Sequence, residues 1–261
     1  MTVLPTKVFG AGDDTVVLLH GFLGSGRNLW SLAKALARRR SDLRVVVPTL
    51  RGHIGAPPLA PGGTLESMAA DVVRLGEQAG ARAIVGHSLG GRVAIVAAVD
   101  HRVPVWLLDI SPGPVVAEDT EAVLDALLAA PAAAASRAEM GRALEAAGAP
   151  GPIVPWLCMN LVRDEGGVRW GIDRARLAAF HRTESGRNLW PYVEGRGVDI
   201  AGCVRGGASN FVCAQEAERL EGVGARVVTI PKAGHFVHVD ALDAVAEVLS
   251  SGLLRGRANP G

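Results

Sequence analysis

The chain has 261 residues, of which 49% are hydrophobic and 20% charged, and a formal net charge of +1. This composition can bury one substantial core, and the near-zero charge argues against binding nucleic acid or an anionic membrane surface. Three irregularly spaced cysteines fit neither a disulfide framework nor a zinc site, and the chain shows no signal-peptide or membrane-spanning pattern, so we expect a cytoplasmic location.

Short apolar runs rich in valine and isoleucine alternate along the chain with longer segments of helical pattern. This alternation predicts an α/β fold with a mostly parallel, twisted sheet and helices on both faces, because strands covered on both sides read as continuous apolar runs. The predicted strands are 16–19, 44–47, 82–85, 105–108, 200–204 and 226–230. The predicted helices are 28–38, 64–79, 91–100, 214–221 and 241–249.

A long insertion between Ser111 and Val198 interrupts this alternation. A plain crossover would need only about 10–15 residues. Proline-bounded, alanine-rich sequence and clustered aromatic residues predict a helical cap over the carboxyl ends of the strands, where open α/β sheets bind ligands. We therefore expect one domain over 1–261, with a core of 1–111 and 198–261 and the cap at 112–197. An extra helical bundle packed elsewhere is the alternative.

The segment Gly86-His87-Ser88-Leu89-Gly90 lies between a predicted strand and a predicted helix. A serine hydroxyl needs a fixed, exposed position and an adjacent base to act as a nucleophile at neutral pH. The flanking glycines permit the strained strand–turn–helix turn that provides this position. The pattern is weak by itself, but its place between strand and helix favours Ser88 as a catalytic nucleophile over an ordinary glycine-rich turn.

Backbone N–H groups are also needed to stabilise the oxyanion that forms during acyl transfer. The turn His20–Gly24 follows a predicted strand, and Leu89 begins the helix after Ser88. We assign the N–H groups of Phe22 and Leu89 to an oxyanion hole, where the helix dipole adds to the effect of Leu89. Phe22 could instead serve only in packing.

Among the seven histidines, His235 is best placed to act as the base. It follows the last predicted strand and precedes the final helix, which is the chain order expected of the histidine that serves such a nucleophile. His238 lies close by, but only one position of the loop is expected to reach the serine. The remaining histidines are interpreted as structural, surface or cap residues: His20, His53, His87, His101 and His181.

The acidic residue that pairs with His235 could follow either of two predicted strands. The loop 205–210, where an acid before the histidine strand would be expected, contains no carboxylate. Asp109 instead ends the strand 105–108, at the same edge of the sheet as Ser88. A buried carboxylate there would fix the tautomer of His235 and stabilise its imidazolium form. Asp109 is therefore the predicted acid, although it could merely cap a loop.

Together these motifs resemble a known family, the small bacterial serine esterases of the α/β-hydrolase superfamily related to the abhydrolase-domain-eleven proteins. The resemblance implies an α/β-hydrolase fold, Asp109 as the acid, and Ser209 as a helper at the usual position of the acid. Thr49 and Ile54 depart from the family pattern and affect the expected pocket wall but not the triad. The matching segments are His20-Gly21, Gly24-Ser25, Asn28-Leu29, Gly86–Gly91, Asp109–Pro112, Gly206-Gly207 with Ser209, Gly234-His235 and Val237-His238.

The leading hypothesis is a serine hydrolase that cleaves carboxylic esters or thioesters of small to medium acyl groups through an acyl-enzyme. This chemistry needs no metal or organic cofactor, and the expected partner is a small-molecule substrate. Trp156, Trp190 and Phe236 are predicted to line an apolar acyl pocket, although packing in the core explains such aromatic residues equally well. The sequence does not determine the oligomeric state.

Three alternatives remain open at this point. One is a carbon–carbon hydrolase or lyase similar to the menaquinone-pathway synthase, which has a similar Ser-Leu-Gly-Gly-Arg-Val stretch, here Ser88 to Val93. Another is a cofactor-free perhydrolase, because a fold does not fix a function. The third is a binding protein whose cap closes over a ligand that it turns over slowly or not at all.

Overall fold

The computed structural model describes residues 3–115 and 120–253, so the expected bounds 1–261 and 112–197 include residues outside these ranges. Short 3-10 helices occupy Gly26–Leu29 and Gly151–Ile153. The strands are β1 (Thr6–Phe9), β2 (Asp14–Leu19), β3 (Leu43–Pro48), β4 (Ala81–His87), β5 (Val105–Leu108), β6 (Ala133–Ala134), β7 (Leu161–Asp164), β8 (Gly167–Trp170), β9 (Ile200–Gly206) and β10 (Arg226–Ile230). The helices are α1 (Trp30–Arg39), α2 (Leu65–Ala79), α3 (Leu89–His101), α4 (Thr120–Ala129), α5 (Arg137–Ala146), α6 (Val154–Cys158), α7 (Arg174–Glu184), α8 (Trp190–Glu194), α9 (Ala214–Gly222), α10 (Val237–Asp240) and α11 (Leu242–Gly252).

Seven strands of the described chain form the main sheet, in the order β1-β3-β2-β4-β5-β9-β10. Neighbouring strands are parallel except for β1 and β3. Each predicted strand falls within one of β2, β3, β4, β5, β9 and β10, so the expected mostly parallel sheet is confirmed. The sequence does not predict β1, because this edge strand is largely exposed and carries no continuous apolar run.

The central strands send alternate side chains into two cores, one on each face of the sheet. Val17 and Ile84 pack in the cluster that includes helices α2 and α3, whereas Val16 and Val85 pack in the cluster that includes α1 and α11. Because both faces are covered, successive positions must all be apolar, which explains the continuous runs in the sequence. No helix in the described ranges is long and apolar enough to cross a membrane.

The insertion between β5 and β9 contains helices α4 to α8 and a second, antiparallel sheet in the order β6-β8-β7. The insertion therefore contains helices, as the sequence predicts, together with a small sheet that the sequence pattern does not predict. Strands β7 and β8 are four residues each, joined by a turn at Glu165 and Gly166, and are too short to produce a readable periodicity. The insertion has its own apolar cluster, into which Leu23 packs from the loop after β2.

A buried arginine on α3 ties both ends of the insertion to the core. Arg92 donates through Nη1 to the carbonyl of Gly113 at 2.7 Å and through Nη2 to the carbonyls of Glu184 and Arg187. Burial lowers the pKa of Arg92 to about 10, so the side chain is still charged at neutral pH. Because α3 begins directly after Ser88, this contact fixes the insertion relative to the candidate nucleophile.

Candidate active site

Ser88 lies at the sharp turn between β4 and α3, with φ of 51° and ψ of −120°. A side chain at Gly86 would place its Cβ 2.3 Å from the backbone of Gly90, and one at Gly90 would lie 2.4 Å from the carbonyl oxygen of Leu19. The turn is therefore strained and so closely packed that only glycine fits on either side of the serine. The backbone N–H of Ser88 donates to the carbonyl of Leu108 at 3.2 Å, which anchors the turn on β5.

Asp109 follows β5 and is completely buried. Its Oδ1 accepts the backbone N–H of Gly206 at 2.8 Å. Its Oδ2 accepts the Nδ1–H of His235 at 2.8 Å and also the hydroxyl of Ser209. The structure thus brings together the predicted base, acid and helper, and the role of a simple loop cap does not account for this arrangement.

His235 lies in the loop between β10 and α10, and its backbone carbonyl accepts the Nε2–H of His87 at 2.9 Å. Because Nδ1 donates to Asp109, the neutral imidazole keeps Nε2 as its proton acceptor. The ring of Phe211 stacks on the imidazole with centroids 3.5 Å apart and planes at 15°. Sequence reasoning missed Phe211, because a single aromatic residue just after the loop 205–210 has no spacing or period that indicates a role.

The loop that carries Phe22 lies beside the elbow. A Cβ added to Gly21 would come within 3.3 Å of the Cβ of Ser88. The backbone N–H groups of Phe22 and Leu89 have no hydrogen-bond partner among the described residues, so both are free to bind an oxyanion. His20 supports this loop from behind, donating from Nδ1 to the carbonyl of Gly21 and accepting the N–H of Leu50 at Nε2, and thus has the structural role expected of it.

Asn160 holds the same loop from the side of the insertion. Its Nδ2 donates to the carbonyl of Leu23 at 2.8 Å, and the side chain is buried. Leu23 has a positive φ of 54°, which is unfavourable for a residue other than glycine and needs outside support. The sequence offers no signal for this contact, because it joins two loops far apart in the chain.

A cavity of about 620 Å³ is lined by both Ser88 and His235. Trp156 and Phe236 lie in its wall, as predicted. Trp190 does not: it is only 1% exposed, packs in the core against the sheet and donates from Nε1 to Glu216, so its assignment to the pocket is wrong. The apolar wall also includes Val123, Leu124, Ile153 and Phe211.

The described wall of the cavity consists mainly of uncharged side chains. Of the described residues that line it, none is Lys, Arg, Asp or Glu. Burial lowers the pKa of His20 to about 3 and the pKa values of His181 and His238 to about 4, and lowers that of His87 well below its usual value. These four histidines are therefore uncharged at neutral pH, and the described wall offers no Lys or Arg to pair with an anionic acyl group.

A family model described as "Alpha/beta hydrolase family" matches residues 16–248, which include most of the sheet, the elbow and the loop of His235. The chain belongs to the alpha/beta hydrolase family. The expected fold class and superfamily are thereby confirmed, and the protein is an enzyme of the α/β-hydrolase type. Membership in the alpha/beta hydrolase family does not determine the substrate or the identity of the nucleophile.

This alpha/beta hydrolase is similar to individual proteins in sequence and to solved structures in fold. It is 29% identical over 272 residues to the mouse "sn-1-specific diacylglycerol lipase ABHD11", covering 92% of this chain and 83% of that one. The solved structure titled "Marine microorganism esterase" superposes with a TM-score of 0.79 at 22% identity, covering 97% of this chain and all of that one. The solved structure titled "Thioesterase Domain From Curacin Biosynthetic Pathway" superposes with a TM-score of 0.68 at 22% identity, covering 94% of this chain and 93% of that one. These two structures show the shared fold alone.

Proposed function

We propose that the protein is a serine hydrolase that cleaves carboxylic esters or thioesters of uncharged, small to medium acyl groups through an acyl-enzyme. The observation that carries this proposal is the pairing of His235 Nδ1 with the buried carboxylate of Asp109 at 2.8 Å, in the same cavity as the strained elbow of Ser88. The lipase name of the mouse relative supports the reaction class.

In the proposed reaction, Ser88 Oγ attacks the carbonyl carbon of the substrate while His235 Nε2 takes the hydroxyl proton. The N–H groups of Phe22 and Leu89 bind the oxyanion of the tetrahedral intermediate, each such donor being worth about 2.7–4 kcal/mol of activation free energy. The intermediate collapses as the C–O or C–S bond breaks, and His235 returns the proton to the departing alcohol or thiol.

Hydrolysis of the acyl-enzyme repeats these steps with water. His235 takes a proton from the water as its oxygen attacks the acyl carbon, and Ser88 Oγ leaves with that proton as the acid is released. Asp109 accepts the Nδ1–H of His235 throughout and stabilises the imidazolium form of that ring. All the groups in this cycle belong to the chain itself.

We further propose that the insertion acts as a cap that selects the acyl group. It contributes Val123, Leu124, Ile153 and Trp156 to the cavity wall. A cavity of about 620 Å³ falls in the range of small-molecule sites. Removing apolar acyl carbons from water on this wall would favour neutral chains over short polar ones.

The described residues that line the cavity include no Lys or Arg, and this bears on the alternatives. A carbon–carbon hydrolase or lyase acting on a carboxylate-bearing substrate would need a cationic side chain nearby, because an unpaired buried carboxylate is costly. The intact pairing of Asp109 with His235 argues against a pure binding protein. A perhydrolase would share the same residues and differs only in accepting hydrogen peroxide in place of water.

The proposal is tested with two p-nitrophenyl esters of equal chain length, the neutral butyrate and the anionic hydrogen succinate. We expect kcat/KM for the butyrate to be at least about 100-fold higher, because the succinate must bury an unpaired charge. Ser88→Ala should lower butyrate turnover at least about 10³-fold. Ser31→Ala, at an exposed position of α1, serves as the matched control and should keep wild-type activity.

Equal butyrate turnover by the wild type and Ser88→Ala would refute the serine mechanism. Equal kcat/KM for the two esters would refute the proposed selection for uncharged acyl groups. Formation of peracid from acetate and hydrogen peroxide at a rate that exceeds ester hydrolysis would favour the perhydrolase instead.

A further inference from the structure

Phe211 stacks on His235 more closely than any other described aromatic ring does. The two ring centroids lie 3.5 Å apart with planes at 15°, whereas the next rings, His87 and Phe236, lie at 4.8 and 5.5 Å and are steeply inclined. One face of the imidazole is therefore covered by an aromatic face. We propose that Phe211 is a positioning residue that holds the imidazole of His235 in its working orientation.

The topology of the sheet explains why this position falls on the loop after β9. Asp109 follows β5 and His235 follows β10, and β9 lies between these two strands in the sheet. The loop after β9 therefore emerges between the acid and the base. It is well placed to touch both of them at once.

The loop after β9 contacts Asp109 through Ser209 and His235 through Phe211. Ser209 donates its hydroxyl to Oδ2 of Asp109 and accepts the backbone N–H of Phe211 on the same oxygen, at 3.3 Å. The loop is tied down by hydrogen bonds from the N–H of Gly207 to Ile230 and from that of Ala208 to Ala233, both in the segment that leads to His235. Ser209 thus fixes the carboxylate, and the ring of Phe211 fixes the imidazole plane.

This role rests on the proposed function, in which His235 shuttles the proton. A stacked ring limits rotation of the imidazole, so Nδ1 stays on Asp109 and Nε2 keeps a fixed direction in the cavity that Ser88 also lines. The electron-rich face of an aromatic ring also stabilises a cation above it, here the imidazolium that forms in the transition state. Loss of the aromatic face should therefore lower kcat more than it raises KM.

The test compares Phe211→Leu, which keeps apolar bulk but removes the aromatic face, with Phe211→Tyr, which keeps the face. With p-nitrophenyl acetate, whose short acyl group makes little use of the pocket, we expect kcat to fall on the order of tenfold in Phe211→Leu and within about twofold in Phe211→Tyr. Phe9→Leu, in the edge strand β1, is the matched control and should have wild-type kcat.

A second readout needs no substrate. The proton on Nδ1 of His235, held by Asp109, should give a downfield ¹H NMR resonance that broadens in Phe211→Leu and persists in Phe211→Tyr. Wild-type kcat and an unchanged resonance in Phe211→Leu would overturn the proposal, as would equal loss in both variants. An inactive wild type whose resonance still responds to Phe211→Leu would overturn the proposed function while supporting the positioning role.

Discussion

Three hydrogen-bond donors converge on the carboxylate of Asp109. The backbone N–H of Gly206, the hydroxyl of Ser209 and Nδ1–H of His235 all donate to its two oxygens. Such a carboxylate can hold the imidazole in a single tautomer without taking its proton. At the scale of single residues, the proposed catalysis therefore requires that the Asp109 side chain accept the Nδ1–H of His235, and a side chain of the same size is not sufficient.

Replacing Asp109 by Asn tests this dependence. The amide keeps the size of the side chain but can present its NH₂ group to Nδ1, which would favour the wrong tautomer of His235. We expect kcat to fall about 10³- to 10⁴-fold with little change in KM, measured by steady-state ester hydrolysis. Asp199→Asn, at an exposed position, and Asp173→Asn, the N-cap of α7, should remain close to wild type. If Asp199→Asn were the damaging change, the acid would be placed wrongly.

Much of the site could be predicted from the sequence, because its parts follow strands that end at the same edge of the sheet. Ser88, Asp109 and His235 each follow an apolar run within about five residues, so their convergence follows from topology. Phe211 and Asn160 could not be predicted, because a single aromatic or amide in a loop has no period or spacing to distinguish it. Trp190 was assigned wrongly, because an aromatic residue in the insertion reads the same whether it faces a cavity or the core.

At the scale of elements, the insertion supports the core loop that carries Phe22. Asn160 supplies the hydrogen bond to the carbonyl of Leu23, whose positive φ is unfavourable without such support. Leu23 also packs in the apolar cluster of the insertion. The small sheet of the insertion is part of this support, since the N–H of Gly171, directly after β8, donates to the carbonyl of Asn160 at 2.8 Å.

Asn160→Ala should loosen this loop and misplace the N–H of Phe22. A buried carbonyl left without its donor costs about 1–3 kcal/mol of stability, and we expect kcat to fall on the order of tenfold as well. The affinity for a boronic acid, which mimics the tetrahedral intermediate, should fall in parallel with kcat/KM. Asn188→Ala, at an exposed position of the insertion, is the control. A variant that loses stability but keeps kcat and boronate affinity would show that the insertion does not support the oxyanion hole.

The three-stranded sheet of the insertion could not be predicted from the sequence. The parallel strands of the main sheet can be predicted from continuous apolar runs, because both faces of that sheet are covered. Strands β7 and β8 instead bury only alternate residues such as Val168 and Trp170, over four positions each. So short an alternation cannot be distinguished from a helix or a loop by its pattern.

At the scale of the whole molecule, folding buries several histidines in their neutral form. Burial lowers the pKa of His20 to about 3 and those of His53 and His238 to about 4, from an ordinary value of 6.5. Between those values the unfolded chain binds protons that the folded chain does not. The free energy of unfolding must therefore fall as the pH falls from about 6.5 towards 4, while above 6.5 these groups have no effect.

Once the pH is well below 6.5, each such histidine should lower the free energy of unfolding by about 1.4 kcal/mol for each unit by which the pH falls. We expect urea denaturation to show a much lower free energy of unfolding at pH 5 than at pH 7, with an uptake of several protons on unfolding at pH 5. His238→Asn should remove about one proton from that uptake. A free energy of unfolding that is the same at both pH values would contradict the neutral burial of these side chains.

The most direct test of the central claim is covalent capture of the nucleophile. A fluorophosphonate should add once to the wild-type protein, and peptide mapping by mass spectrometry should place the adduct on Ser88. The rate of labelling should fall sharply in Asp109→Asn, and Ser88→Ala should take up no label. Failure of the wild type to react, or an adduct on another residue that persists in Ser88→Ala, would contradict the account.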